Sequence, residues 1–301
     1  MPLNDFQQQL VEIFNQRSNY DNAGDFHPPL AHLLVQYAKI SQGQQILDMA
    51  TGTALVAIEA AQIVGEGGQV IGVDISTGML EQARRKIEAA RLKNIELVEA
   101  DVEIFDFPDN SFDRVLCCSA LAYLRNIPAT LRHWYRFLKP NGLIAVNGFA
   151  ETAFIEGVTL IKVAKKYGIN LIFNQPTGTV EKCYALLHDA GFEDIEVKTD
   201  RLGGNISFKP DREKWERTLK NPLSFPLRQL SVEQLEQVKM EYFPELEDLV
   251  TDKGIWNDIL TFSVLGRKRD IRAVFPIANK KILHTLIHQK RRDRKVERGI
   301  A

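Results

Sequence analysis

Cysteine is scarce in this sequence, with three residues in 301, and no pair has the CxxC spacing. Two of the three, Cys117 and Cys118, are adjacent, and neighbouring side chains on a strand point to opposite faces. A disulfide framework is therefore not expected, and a reducing compartment is indicated. The first residues, MPLNDFQQQL, lack the basic-then-apolar pattern of a signal peptide, and no apolar run reaches the ~18 residues of a membrane span. We therefore expect a cytoplasmic protein without a transmembrane segment.

An excess of charge of one sign is also absent, because 38 basic and 39 acidic residues give a formal net charge of −1. This argues against a chain that is basic throughout and wraps nucleic acid, so nucleic acid is not the expected partner. The exception is a basic tail at 269–301. It could contact nucleic acid or an anionic membrane surface, although a solvated extension is the expected role. The six histidines are scattered, and no metal site is expected.

Short apolar runs typical of buried strands alternate with longer amphipathic runs typical of helices along residues 45–149. This alternation predicts right-handed βαβ units and a parallel sheet, and therefore a doubly wound α/β fold. The predicted strands are 45–49, 69–74, 95–99, 114–118 and 143–149, separated in part by helices at 55–64, 78–92 and 127–138.

The regular alternation of strands and helices does not continue on either side of residues 45–149. Residues 1–40 are predicted to be helical, with a break at Pro28 and Pro29. After residue 150, helical insertions interrupt the sheet, and Ser231 with Gln234 forms a capping box in one of them. The predicted parts are an N-terminal helical segment (1–40), a main domain (41–268) with insertions at 151–180 and 205–255, and the tail (269–301).

Three acidic side chains, Asp48, Asp74 and Asp101, lie at or just after the ends of successive predicted strands. In an open α/β sheet, ligands bind outside the carboxyl ends of the strands, so these carboxylates should converge on one crevice. Asp74 has the position from which a carboxylate accepts both hydroxyls of a ribose. Gly52, in the turn after the first strand, permits a tight turn and the close approach of a ligand. The pattern predicts a nucleoside site.

A nicotinamide dinucleotide would use the same crevice, but two features argue against it. The GxGxxG spacing is absent, because Gly52 stands alone in its turn, and Asp48 would repel a pyrophosphate. S-adenosylmethionine contains no phosphate, and its ammonium and sulfonium charges suit Asp48. Asp101 can accept a hydrogen bond from the adenine amino group, with Val102 and Met79 as apolar contacts of the ring. The residues therefore favour S-adenosylmethionine as the cofactor.

Five motifs in order resemble those of class I methyltransferases, most closely the ubiquinone/menaquinone-biosynthesis type and its natural-product relatives. The resemblance covers about residues 20–268. The motifs are ILDMATGT at 46–53; VIGVDIS at 70–76 with GML at 78–80 and AR at 83–84; AD at 100–101 with FPDNSFD at 107–113; LKPNG at 138–142; and LLHDAGF at 186–192.

The resemblance implies a sheet of seven strands whose last strand is antiparallel, and a lid formed by the first helix with Tyr20 and Asp21. It also implies that Ser119 lies near the methionine part of the cofactor. Segments 119–124, 147–180 and 205–256 would shape the acceptor pocket. With the motifs, the resemblance assigns cofactor binding to Tyr20, Asp48, Ala50, Gly52, Thr53, Asp74, Ile75, Met79, Asp101, Val102 and Ser119.

Ala54 departs from the family pattern, which usually has glycine at this position. A Cβ there could crowd the ligand or disfavour a positive φ. We expect the alanine to keep φ negative, which retains the cofactor assignment. The departure leaves open a different class of protein, a module that binds S-adenosylmethionine without transferring a group.

Methyl transfer needs an aligned acceptor and excluded water, and a base helps where the acceptor is a hydroxyl or an acidic carbon. The candidates are His27, Glu151 and Tyr123, the last as a positioning group, whereas His133 is expected to pack within its helix. The apolar and aromatic insertions favour a small, quinone-like or secondary-metabolite acceptor. The alternative enzyme is an RNA or protein methyltransferase that uses the basic tail. Whether oxygen, nitrogen or carbon is methylated stays open at this point.

Overall fold

A seven-stranded sheet forms the centre of the structure, a computed structural model that describes residues 4–22, 25–209 and 212–270. The strands are β1 (Gln45–Met49), β2 (Gln69–Asp74), β3 (Ile95–Glu99), β4 (Phe112–Cys117), β5 (Leu138–Phe149), β6 (Glu193–Arg201), β7 (Gly204–Ile206), β8 (Ile255–Asn257) and β9 (Leu260–Arg267). The main sheet has the order β3-β2-β1-β4-β5-β9-β6. Strands β1 to β5 pair in parallel, whereas β9 is antiparallel to both β5 and β6. The predicted fold class and the antiparallel last strand are confirmed.

Helices cover both faces of this sheet, because alternate residues of each strand point to opposite sides. Ile46 packs in the apolar cluster under the N-terminal and alanine-rich helices, while its neighbour Leu47 packs in the cluster around Trp134. The helices are α1 (Asp5–Asn15), α2 (His27–Ala38), α3 (Leu55–Val64), α4 (Thr77–Ala89), α5 (Ile127–Phe137), α6 (Ile155–Lys166), α7 (Val180–Asp189), α8 (Arg212–Lys220) and α9 (Val232–Glu247).

The segments after β5 build a third apolar cluster. Val163 from α6, Trp215 from α8 and Tyr242 from α9 are buried against one another. The residues predicted as insertions at 151–180 and 205–255 therefore carry helices that pack together. The capping box of Ser231 and Gln234 at the start of α9 is confirmed.

Element bounds differ from the sequence predictions in several places. Residues 1–40 form two helices joined by a loop, and α2 begins at His27 because prolines favour the first helical turn. Strand β4 begins at Phe112 and β5 at Leu138, both earlier than predicted. Strands β7 and β8 form a separate two-stranded sheet, which short segments far apart in the sequence do not signal.

Among the described residues, no helix is both long and apolar enough to cross a membrane. The prediction for the basic tail falls on residues that, from 271 onward, lie outside the described part of the chain.

Candidate active site

The turn from β1 to α3 is closed by hydrogen bonds to the neighbouring strand. Thr51 N donates to the carbonyl oxygen of Val73 at 2.9 Å, and Gly52 N donates to Asp74 Oδ2 at 2.8 Å. Gly52 has φ +55°, and a Cβ built there would meet no other atom within 4 Å. The glycine therefore supplies the left-handed conformation and leaves space above the turn.

Asp74 is 8% exposed and is held at both oxygens by backbone donors. Gly52 N binds Oδ2 and Ser76 N binds Oδ1, each at 2.8 Å. Burial raises the pKa of Asp74, and these amide donors act in the opposite direction. Each carboxylate oxygen keeps a further lone pair, so the group is oriented to accept two hydroxyls of a ribose.

Asp48 lies deeper, 1% exposed, and accepts a hydrogen bond from Thr51 Oγ1 at 2.5 Å. Burial raises its pKa to about 7, the Thr51 hydroxyl opposes this, and the nearby charge of Asp74 adds to the rise. Two carboxylates in one low-dielectric site favour a cation between or beside them. The carboxylates of Asp48 and Asp74 therefore fit the positive charges of S-adenosylmethionine and disfavour a pyrophosphate.

Asp101 already has protein partners. Its Oδ1 accepts from Glu103 N at 2.9 Å, and its Oδ2 accepts from Gln7 Nε2 at 2.5 Å and Arg125 Nη2 at 3.0 Å. An adenine amino group would have to share these oxygens or displace the Gln7 amide. Neither Gln7 nor Arg125 follows from the sequence, because Gln7 lies in α1 and no local motif marks either residue.

The N-terminal segment is tied to the sheet by polar contacts that the sequence does not signal. Asn15 Oδ1 accepts from Ser76 Oγ at 2.7 Å and from Gly78 N at 2.9 Å, at the start of α4. Asp21 accepts from Thr53 Oγ1 at 2.5 Å and from Lys86 Nζ at 2.7 Å. These bonds hold residues 15–21 beside the turn that contains Gly52.

Three neighbouring cavities follow the carboxyl ends of the strands. A cavity of about 70 Å³ is lined by Ala50, Asp74, Ile75, Asp101 and Val102, together with Gln7 and Arg125. A second, of about 40 Å³, is lined by Ala50, Asp48, Gly52, Thr53 and Ser119, together with Tyr20 and His27. Because Ala50 lines both, these two cavities adjoin, and the structure brings together ten of the eleven predicted cofactor residues.

Met79 is the exception, because it lines neither cavity. Its side chain is 2% exposed in the interior, and its backbone N–H is capped by Ser76 Oγ at 3.2 Å. The sequence pattern placed Met79 close to the end of the second strand. In the structure Met79 belongs to the first turn of α4, and its side chain points into the core.

Ala54 adopts φ +64° and ψ +32°, so the expectation of a negative φ is wrong. Its amide donates to the carbonyl oxygen of Thr51 at 2.9 Å, and this turn requires the left-handed conformation before α3. Such a conformation costs an L-residue roughly 1–2 kcal/mol. The methyl group is 0% exposed in the apolar cluster of α3, so it does not crowd the cavities.

A third cavity, of about 1140 Å³, shares Tyr20, His27 and Ser119 with the cavity beside Asp48. Tyr123 connects it to the cavity beside Asp74. Its wall is rich in aromatic rings, contributed by Phe26, Phe149, Phe154, Phe173 and Tyr242, and residues of α6 and α8 complete it. This space is large enough for an organic molecule of drug-like size.

Two of the three candidate catalytic residues lie at this cavity. The imidazole of His27 stacks on Tyr20 with ring centroids 4.2 Å apart, and its pKa is lowered to about 4 by burial and by the charge of Arg17. His27 is therefore neutral near pH 7. Burial raises the pKa of Tyr123, which stays protonated.

Glu151 lies elsewhere. Its side chain is 52% exposed and binds Lys182 Nζ at 3.1 Å, and it lines none of the three cavities. Because it follows β5 directly, the sequence placed it near the site, but the chain turns its side chain outward. His133 binds the carbonyl oxygen of Phe105 at 3.0 Å and packs on Phe137, which agrees with the packing role expected for it.

Strand order and carboxylate positions define the chain as a class I S-adenosylmethionine-dependent methyltransferase. The family described as "Methyltransferase domain" matches residues 46–142. The ubiquinone/menaquinone biosynthesis C-methyltransferase UbiE of Pseudoalteromonas translucida is 32% identical over 176 residues, which are 56% of this chain and 69% of that protein. The chain belongs to this UbiE-like family of methyltransferases.

Two further similarities agree with this assignment. The aklanonic acid methyltransferase DauC of Streptomyces sp. strain C5 is 33% identical over 142 residues, covering 46% of this chain and 64% of that protein. The fold matches phosphoethanolamine N-methyltransferase 2 of Haemonchus contortus in complex with S-adenosyl-L-methionine, with a TM-score of 0.53, 21% identity, and coverage of 89% of this chain and 61% of that one.

Proposed function

We propose that this enzyme methylates a small, mostly apolar or aromatic organic molecule of quinone-like or secondary-metabolite type, at carbon. The observation that carries the proposal is the aromatic-walled cavity of about 1140 Å³, which adjoins the cofactor cavities at Tyr20, His27 and Ser119. The aromatic rings offer apolar contact area to a small organic ligand, and polar side chains between them, among them Arg17 and Asn174, would fix its orientation.

The named relatives support this substrate class. One is a C-methyltransferase of ubiquinone and menaquinone biosynthesis, and another acts on aklanonic acid. Both names describe small organic acceptors. We propose carbon as the methylated atom because the first of these relatives is a C-methyltransferase.

Cofactor binding by the lining residues is part of the proposal. Asp74 would hold the ribose hydroxyls, and Asp48 would lie beside the positive charges of the methionine part. S-adenosylmethionine, when bound, supplies a methyl group that is activated by its sulfonium. The remaining residues would complete the contact surface: Tyr20, Ala50, Gly52, Thr53, Ile75, Asp101, Val102 and Ser119.

The protein's contribution at the acceptor is alignment and exclusion of water. Tyr20, His27 and Tyr123 lie at the junction of the cavities, and stacking fixes the Tyr20 and His27 rings. The neutral imidazole of His27 can accept a hydrogen bond from an acceptor hydroxyl, but its low pKa makes it a weak base.

The test is transfer of a labelled methyl group from S-adenosylmethionine into a metabolite extract, followed by mass identification of the product. We expect label in small apolar molecules, with the new methyl group on carbon, and none with an Asp74→Ala protein. Label incorporated into RNA or protein instead would contradict the proposal and favour the alternative that uses the basic tail.

A further inference from the structure

Arg17 presents a cation to the acceptor cavity and has no acidic partner among the residues that the structure describes. It follows α1 and lines the cavity of about 1140 Å³ together with Tyr20, His27 and Tyr123. Among the described residues, no carboxylate lies within ion-pair distance of its guanidinium. A half-buried cation at the wall of a cavity, with no carboxylate paired to it, attracts an anionic group of a ligand.

One direct contact positions this guanidinium, and two further contacts hold the residue and the ring that it packs against. Its carbon lies 4.7 Å from the centroid of the Phe14 ring, and Phe14 in turn packs edge-on against Tyr123 with centroids 5.4 Å apart. The backbone carbonyl of Arg17 accepts from Gln82 Nε2 of α4 at 2.8 Å. The charge is therefore held in place before any ligand binds, which reduces the entropy lost on binding.

The acids around Arg17 already have other partners. Glu156 is the acidic residue among the described residues that line this cavity, and it binds Lys214 Nζ at 2.5 Å. Asp21 binds Lys86 and Thr53, and Asp74 binds two backbone amides. The positive charge of Arg17 remains available to a ligand. It adds to the lowering of the pKa of His27 by burial, and it opposes the rise that burial causes in the pKa of Tyr123.

We infer that the Arg17 guanidinium binds an anionic oxygen of the methyl acceptor, which is an acidic enol or phenol held in its ionised form. The inference rests on the proposed function and names its substrate class. An adjacent cation stabilises the ionised form of a hydroxyl. An enolate or phenolate is also the electron-rich form that a carbon nucleophile needs. Because such an acidic hydroxyl gives up its proton to water before it binds, no strong base of the protein is required to ionise it, which agrees with the weakly basic His27 and the protonated tyrosines at the junction.

The probe is a matched pair of ligands, 4-nitro-1-naphthol, which is acidic enough to be ionised at neutral pH, and its neutral methyl ether. Calorimetric titration into protein saturated with S-adenosylhomocysteine should show the naphtholate binding about tenfold more tightly than the ether. Arg17→Gln should remove this preference, and Arg17→Lys should keep part of it because the charge remains.

The matched control is Arg228→Gln. Arg228 stacks on Phe225 at 3.9 Å and binds Gln9 Oε1 at 2.6 Å, but does not line the cavity, so the preference should be unchanged. Equal affinity of the wild-type protein for the two ligands would overturn the inference. So would an Arg17→Gln protein that binds the naphtholate as wild type does, since the anion would then lie elsewhere, for example near Arg217.

A third overturning result is a loss of S-adenosylhomocysteine affinity in Arg17→Gln as large as the loss for the naphtholate. That would assign Arg17 to the carboxylate of the cofactor's amino-acid part. The methyl-transfer assay on metabolite extracts decides the proposed function separately. An enzyme that methylates neutral apolar molecules would retain the proposed function and contradict this inference.

Discussion

At Asp74, one carboxylate closes a turn of the fold and lines the cavity proposed for the ribose. Its two oxygens accept the amides of Gly52 and Ser76, and the same oxygens face the cavity assigned to the ribose. We expect Asp74→Ala to weaken S-adenosylmethionine binding at least about 100-fold, because two hydrogen bonds to a charged group are lost, at about 1.5–3 kcal/mol each. Calorimetric titration measures the affinity, and circular dichroism checks that the chain remains folded.

Asp113→Ala is the control for this variant. Asp113 accepts from the backbone N–H of Gln45 at 2.8 Å and pairs with Lys139, away from the cavities. It should therefore lower the free energy of unfolding without changing cofactor affinity. Unchanged affinity in Asp74→Ala would remove Asp74 from the site.

The raised pKa of Asp48 predicts a pH dependence. Because a cationic ligand favours the ionised carboxyl, S-adenosylmethionine affinity should increase as the pH rises through about 7. In Asp48→Asn, affinity should be lower and this dependence should disappear. Titrations at pH values on either side of about 7 measure both. Parallel pH profiles of the two proteins would contradict the prediction.

The free energy of unfolding should respond to pH in the opposite direction from the cofactor affinity. The pKa of Asp48 is higher in the folded chain than the value of 3.8 expected when unfolded, so the folded state binds the proton more tightly. The contribution of this proton to stability is therefore present at low pH and is lost as the pH rises from about 4 to about 7. Asp48→Asn lacks this proton, so its stability should fall less than that of the wild type over the same pH range. Thermal unfolding midpoints of both proteins at low and neutral pH measure the difference.

At the scale of elements, the position of α1 depends on its contact with α4. A Cβ at Gly78 would lie 2.7 Å from the carbonyl oxygen of Asn15 and 2.8 Å from its Cα, and both are backbone atoms. Gly78→Ala should therefore displace the end of α1, with the Asn15 side chain that binds the start of α4 and the loop that carries Arg17. We expect cofactor affinity to fall several-fold and hydrogen exchange of residues 5–22 to increase.

The control for this prediction is Gly204→Ala in β7, where a Cβ would meet no atom within 4 Å. That variant should keep both the affinity and the exchange pattern. If Gly78→Ala behaved in the same way, the contact between α1 and α4 would not set the geometry of the site.

At the scale of the whole molecule, the sheet is complete within the described residues. Strand β9 ends at Arg267, and Lys268 Nζ binds the carbonyl oxygen of Leu138 at 2.7 Å. Removing residues 271–301 should leave the thermal unfolding midpoint and the methylation of small molecules unchanged, because those contacts remain. The measurements are differential scanning calorimetry and the labelled-methyl assay.

The contrary result would identify a different enzyme. If truncation abolished methyl transfer, and if salt-sensitive binding to RNA were lost with it, the basic tail would be part of a macromolecular substrate site. The intact chain at several salt concentrations is the control for this comparison.

The sequence by itself determined the alternation of strands and helices, and with it the carboxylates at the strand ends. These depend on local periodicity and on the rule that parallel strands present their carboxyl ends at one edge. Asp48, Asp74 and Gly52 were therefore predictable from the sequence.

Tertiary structure decided the rest. Gln7 and Arg125 reach Asp101, and Arg17 reaches the cavity proposed for the acceptor, through packing between segments far apart in the chain. Ala54 takes a conformation that its own residue type disfavours, because the surrounding turn and core stabilise it. Local preferences are worth only a few kcal/mol, and contacts between distant segments override them.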